Sequence, residues 1–294
     1  MIIVQLTGGL GNQLFQYAFG RSLSQKSGAD LYLDISSYAW DELRNYELSS
    51  FSIKELIATN EEIIQLKKNH PNFKDRLISK LTRKKIPYYR LSVIKEPSYR
   101  YDENYVNYHN DNAYYQGYWQ SESYFKQIRY ILLNELTLKN DFSESANYYS
   151  QLIESTEISV SIHVRRGDYV LNSETTAFHG VCDLNYYKTA ITYIQSQFQN
   201  PTFFVFSDDK EYVKAVFGNQ TNIYFVENIP FDCEELLLMS KCEHNIIANS
   251  SFSWWGAWLN QHHNKLVIAP DKWFLNEEMQ ANSVHLIPCE WKKM

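Results

Sequence analysis

The 294-residue chain is long enough for two domains of roughly 150 residues each. Its hydrophobic share of 44% and charged share of 21% are those of a folded globular protein and exclude wholesale disorder. A net charge of −6 argues against a chain-wide nucleic-acid binder, which would carry a basic excess.

In chain order, Met1 leads directly into Ile2-Ile3-Val4, without a basic n-region or a cleavage site. No apolar run approaches the roughly 20 residues of a membrane-spanning helix. A cytoplasmic protein is the expectation. Residues 2–7 read as a short buried strand, followed by Gly8-Gly9-Leu10-Gly11-Asn12-Gln13. A helix then carries Phe15, Phe19 and Leu23 at i, i+4 and i+8 and stops at Gly28. Leu31 to Ile35 is the next strand. A β-α-β unit therefore opens the chain, and the predicted fold class is α/β.

Residues 36–115 are polar and rich in Tyr and Asn, and only Thr59-x-x-Glu62 reads clearly there, as a helix start. One continuous helix is predicted over 121–136, with Tyr124, Phe125, Ile128, Ile131 and Leu132 on one face. The polar stretch Lys139 to Ser150 is the candidate boundary, giving an N-terminal domain over 1–150 and a C-terminal domain over 151–294. The second half is more regular. Strands are predicted at 158–164, 202–206, 222–226, 245–248 and 265–269. Helices fall between them, at about 183–198, 209–217, 232–240 and 252–260. Continuous apolar strands alternating with helices imply a parallel sheet covered on both faces.

Polar clusters lie at the carboxyl ends of these strands: His163-Val164-Arg165-Arg166-Gly167-Asp168, Ser207-Asp208-Asp209 and Asn249-Ser250-Ser251. Open α/β sheets bind ligands at that edge. Arg165 offers a planar fork of donors suited to phosphate, and His163 can hydrogen-bond a base or a phosphate. Arg166 reads as the more structural of the two arginines. Asn249 to Ser253 runs from a strand into an apolar helix, so its backbone N–H groups and hydroxyls form either an anion site, an N-cap, or both. Trp254, Trp255 and Trp258 read as core. The Gly8–Gln13 run lacks the third glycine of G-x-G-x-x-G and the Lys of a P-loop, but it leaves bare backbone at the top of the first strand.

No metal site is predicted. There is no D-x-D, and His262-His263 is an adjacent pair more consistent with solvation. Cys182, Cys233, Cys242 and Cys289 have neither zinc nor C-x-x-C spacing and read as reduced thiols. The 23 Tyr, 16 Phe and 7 Trp suit sugar or base stacking, or reflect biased usage. From Lys67 to Arg90 there are nine basic residues and one acid, with Phe73, Leu77 and Leu81 at helical spacing and Ile78 beside them. Two readings stand for this stretch. It is a basic amphipathic helix in peripheral contact with anionic membrane, or an ordinary helix with its stripe in the core.

Gly8 to Ala18, Gln116 to Glu122, His163 to Tyr169, Phe206 to Asp209 and Asn249 to Leu259 together resemble the GDP-fucose-dependent α-1,2-fucosyltransferases. The His-x-Arg-Arg-x-Asp and Ser-Ser-Phe-Ser-Trp-Trp-Gly-Ala-Trp blocks carry most of that resemblance, which is loose or lacking over 36–110. It implies a GT-B-like enzyme, with two Rossmann-like domains facing each other across a cleft. It further implies inverting, metal-independent transfer of L-fucose from GDP-β-L-fucose to a galactose 2-hydroxyl, with no cofactor beyond that co-substrate. The acceptor would be a galactose-terminated oligosaccharide of a bacterial surface polysaccharide, built on the cytoplasmic side; a lipid-linked acceptor would suit the membrane reading of residues 67–90.

By position, the resemblance assigns the β-phosphate to Arg165, guanine or nucleoside contacts to His163 and Asp208, and the phosphate-binding turn to Ser250, Ser251 and the Phe252 amide. Gly11 and Asn12 match a loop that closes on the donor. Asp168, beside the phosphate arginine, is nominated as the base, or as an orienting group. Glu122, Asp34 and Asp41 are further candidates. Rival readings are a transferase with another fucosyl linkage or another GDP-sugar, and a non-catalytic sugar-binding module.

Overall fold

The computed structural model describes residues 1–68, 73–83, 86, 90–166, 180–218 and 221–294. These form two compact units, Met1–Lys139 and Asn140–Met294. The division falls at the start of the polar stretch, because Glu144–Glu154 is a helix of the second unit: Ser143 caps it at Ala146 N–H, and its Ala146 and Ile153 enter that unit's core.

The first unit runs β1 (Ile2–Gln5), α1 (Leu10–Ser27), β2 (Leu31–Asp34), α2 (Asn60–Lys68), α3 (Phe73–Thr82), β3 (Val93–Lys95), α4 (Asn104–Asn107), β4 (Ala113–Gln116) and α5 (Arg129–Glu135). Its sheet has the order β2-β1-β4-β3 and every pairing is parallel. Gly28 ends α1 in the left-handed region, at φ 73°, where its N–H reaches the Ser24 carbonyl. Thr59 and Glu62 form a reciprocal capping box at α2. A cluster of aromatic residues builds core in this unit. Phe19 stacks on Trp119 at 3.9 Å between ring centroids, and Tyr115 and Tyr124 meet Phe19 edge-on.

Two expectations need correction here. Strand β3 lies within 36–115 and β4 begins there, where no strand was predicted. At three and four residues they are too short to show a period of two. The helix predicted over 121–136 is two 3₁₀ turns followed by α5. Phe125 interrupts it with φ −142° and ψ 2°, and its ring packs against Phe15.

The second unit runs α6 (Glu144–Glu154), β5 (Ser159–Val164), α7 (Leu184–Gln197), β6 (Thr202–Ser207), α8 (Lys210–Phe217), β7 (Ile223–Phe225), α9 (Asp232–Lys241), β8 (His244–Ile246), α10 (Ser251–Leu259), β9 (Val267–Ala269), α11 (Glu277–Asn282) and β10 (Lys292–Lys293). The sheet order is β10-β9-β8-β5-β6-β7, parallel throughout. That is the doubly wound order of a dinucleotide-binding fold. Residues alternate along β6: Phe203 and Val205 join one core with Tyr187, Ile191 and Ile194, while Phe204 and Phe206 join another with Leu238 and Met239. Both faces are therefore covered, as continuous apolar strands require. The edge strand β10 has only two residues and was not predicted.

Candidate active site

In this order the chain winds outward from β5 to β6 and β7, then returns to β8 on the other side of β5. The switch point lies between the carboxyl ends of β5 and β8, where a doubly wound sheet opens a ligand crevice. Residues 163–166 leave β5 there, and residues 247–251 lead from β8 into α10. The predicted clusters at these two strand ends are thus adjacent, and the Ser207–Asp209 cluster sits beside them on β6.

Register explains the first contact. Val164 pairs with Ser207, so the next residues on the two strands, Arg165 and Asp208, fall side by side. Arg165 Nε lies 3.1 Å from Asp208 Oδ2, with both side chains largely shielded from solvent. Asp208 Oδ1 accepts the Arg166 backbone N–H at 2.9 Å. One carboxylate therefore fixes both the guanidinium and the backbone that carries it. Arg166 turns elsewhere: its Nε is 3.3 Å from Asp209 Oδ2, and its guanidinium lies 3.7 Å over the Tyr212 ring.

His163 is buried, and its Nδ1 has no hydrogen-bond partner among the described residues. Burial first, then the Arg165 and Lys210 charges, lower its pKa to about 3. The imidazole is neutral at physiological pH, so it can donate or accept a hydrogen bond but supplies no charge. Its ring packs against Phe252, at 5.6 Å between centroids.

Ser250 is the N-cap of α10, and its Oγ accepts the Phe252 N–H at 3.3 Å. Ser251 is the first helical residue, and no acidic side chain lies in the first turn. Buried Asn249 pins the turn by donating Nδ2–H to the Gly180 and Trp273 carbonyls, both at 3.2 Å. Trp254, Trp255 and Trp258 are core residues, and Trp254 Nε1 donates to the Leu286 carbonyl. Asp168 lies outside the described residues.

In the first unit, Gly8 adopts φ 77°, and a Cβ there would stand 2.6 Å from Asn12 Nδ2. A side chain there would strain the backbone and displace the Asn12 amide, which favours glycine. Gly11 is buried in the first turn of α1, and Asn12 Oδ1 accepts from Gln120 Nε2 at 2.8 Å. The turn is held by Gln13 Nε2 and the Tyr38 hydroxyl, which both donate to the Gly8 carbonyl. Asp34 is buried, with Oδ2 accepting from the Tyr114 hydroxyl and Oδ1 from Ser36 N–H. Asp41 caps its own turn at Leu43 and Arg44. Both carboxylates thus have structural partners. Glu122 is part-buried in the first 3₁₀ turn.

The role of Asp208 as an anchor for Arg165 was not predicted. The signal existed in the two polar strand ends, but it depends on which strands pair. Among the described residues, no group of three His, Cys, Asp or Glu side chains could hold a metal ion.

Residues 1–293 match Glycosyl transferase family 11. The chain belongs to that family. It is therefore a glycosyltransferase, and its family is the one that the sequence resemblance indicated. It is 36% identical to an alpha-1,2-colitosyltransferase of Escherichia coli, over 100% of this chain and 99% of the relative. It is 34% identical to the O-antigen biosynthesis glycosyltransferase WbnK of Escherichia coli, over 92% and 93%. Among solved structures it resembles the fucosyltransferase NodZ of Bradyrhizobium with a TM-score of 0.50, at 14% identity over 87% and 92%. That last likeness concerns the fold, and with the two parallel α/β units it agrees with the GT-B class. No helix among the described residues is long and apolar enough to cross a membrane.

Proposed function

We propose that this family 11 enzyme transfers L-fucose from GDP-β-L-fucose, with inversion, to the 2-hydroxyl of a galactose-terminated oligosaccharide during bacterial surface polysaccharide synthesis. The observation that carries this reading is Arg165, oriented by Asp208 at the sheet's switch point and next to the α10 N-terminus. Negative charge grows on the β-phosphate as the glycosidic bond breaks, and donors fixed in advance stabilise that charge without reorganising. The alpha-1,2 linkage and O-antigen role in the relatives' names support the linkage and the setting.

In the reaction, the acceptor oxygen attacks the anomeric carbon from the face opposite GDP. GDP leaves with the bonding electron pair, and the hydroxyl proton passes to a carboxylate, for which Asp168 is nominated. Arg165 and the Ser250, Ser251 and Phe252 turn take the phosphates. Neutral His163 offers Nδ1 to the nucleotide. Each Asp208 oxygen keeps a second lone pair, so the same carboxylate can also accept from guanine. In this reading no metal or cofactor takes part. The family resemblance assigns Gly11 and Asn12 to donor binding as well.

A second reading substitutes colitose for fucose, because a relative at 36% identity is named for that sugar. Separate incubations with GDP-L-fucose, GDP-colitose and GDP-mannose, each with a β-galactoside, decide between donors by the GDP released. The expected result is acceptor-dependent release from GDP-L-fucose. Release from GDP-colitose alone would replace the sugar assignment.

A further inference from the structure

Helix α3 has an apolar stripe that no other described residue covers. Phe73 is 79% exposed, Leu81 75%, Ile78 49% and Leu77 47%. Of the side chains described in α3, only Ser79 is less than exposed. At 100° per residue, Phe73, Leu77, Leu81 and Ile78 span one sector, Lys74 stands inside it and Lys80 lies along its border, while Arg83 directly follows the helix. Lys74, Lys80 and Arg83 are all exposed.

These observations separate the two readings of the basic stretch. The core reading needs a buried stripe, and the stripe is exposed. A ten-residue helix is marginal in water by itself, so its apolar face calls for a partner. Two copies joined through this same face would set basic residues against basic residues, which opposes that pairing. An anionic bilayer matches both features. Its interface accepts the aromatic and aliphatic side chains, its headgroups attract the cations, and Lys74 can extend its charged end to the surface from within the stripe.

We infer that α3 is a membrane-docking helix, which lays Phe73, Leu77, Ile78 and Leu81 into the surface of an anionic phospholipid bilayer while Lys74, Lys80 and Arg83 contact the headgroups. Docking by this helix would hold the enzyme at the surface where lipid-linked acceptors lie. The inference does not depend on the donor sugar.

Co-sedimentation of the full chain with vesicles tests it. Binding is expected to phosphatidylcholine vesicles containing phosphatidylglycerol, to be lost on phosphatidylcholine alone, and to fall as salt rises. Lys74→Glu, Lys80→Glu and Arg83→Glu combined should weaken binding by roughly fivefold or more per side chain, a factor that corresponds to about 1 kcal/mol. Phe73→Ser with Leu81→Ser should abolish binding while leaving the melting temperature unchanged, since both positions are exposed. Should that variant fail to fold, Phe73→Trp gives the alternative readout: its added emission should shift to the blue with anionic vesicles only. Absence of binding to anionic vesicles at low salt would overturn the inference. So would equal binding by the charge-reversed variant, or a dimer in sedimentation that Phe73→Ser dissolves without any vesicle binding.

Discussion

Asp208 holds Arg165 through Oδ2 at 3.1 Å while its Oδ1 takes the Arg166 N–H at 2.9 Å. Because Asp208 fixes both, the guanidinium is set in place before any ligand arrives. Arg165→Ala is expected to lower kcat by roughly 10²–10³, the cost of removing one donor from developing charge. Asp208→Ala should lower kcat by about tenfold or more through the lost orientation. Combined with Arg165→Ala it should add little, because both changes remove the same interaction. Steady-state kinetics of the two single variants and the double variant check this. Fully additive losses would mean that Asp208 acts apart from Arg165.

Nucleotide selectivity follows from placing guanine near His163 and Asp208. GDP should raise the melting temperature and ADP should not. A ligand at 100 times its Kd contributes roughly 2.7 kcal/mol, which a thermal melt resolves. Asp208→Ala should narrow the difference between the two nucleotides. Equal shifts from GDP and ADP would remove guanine from the site.

Much of this site was legible because a continuous apolar strand gives no packing reason for a polar cluster where it ends, whereas a ligand crevice does. His163, Arg165, Asp208 and Ser250 stand out on that ground, and the strand order then brings their clusters to one edge. The pairing of Arg165 with Asp208 was not legible, since 43 residues separate them and only the β5–β6 register unites them. Residues 36–115 hid β3 and β4 because strands of three and four residues show no clear alternation. Phe125 leaves the helical region to pack against Phe15, a tertiary effect that helical spacing alone does not reveal. The α3 stripe has the same spacing whether it faces core or lipid, and only its exposure tells the two apart.

His163 gives a pH dependence whose sign is fixed by burial. Its pKa falls from 6.5 to about 3 on folding, so the unfolded chain binds the proton more readily between those values. Stability from this group is complete above about pH 6.5 and is lost as pH falls toward 3. Between pH 7 and 5 the loss is about 2 kcal/mol by linkage. His163→Asn should therefore show a smaller drop in melting temperature over that interval than the parent. An identical drop in both would mean that His163 titrates normally.

Assigning the leaving-group charge to Arg165 and the α10 turn has a consequence for metal removal. Turnover of GDP-L-fucose should persist after dialysis against EDTA. Loss of turnover restored by Mn²⁺ would transfer that role to an ion.

The most direct test is the structure of the product formed from GDP-β-L-fucose and a β-galactoside, read by NMR for linkage and anomeric configuration. A fucose joined to the galactose 2-hydroxyl in the α configuration is the expected product, since direct displacement inverts the β-linked donor. A β-linked fucose, or one joined to a different hydroxyl, would contradict the account.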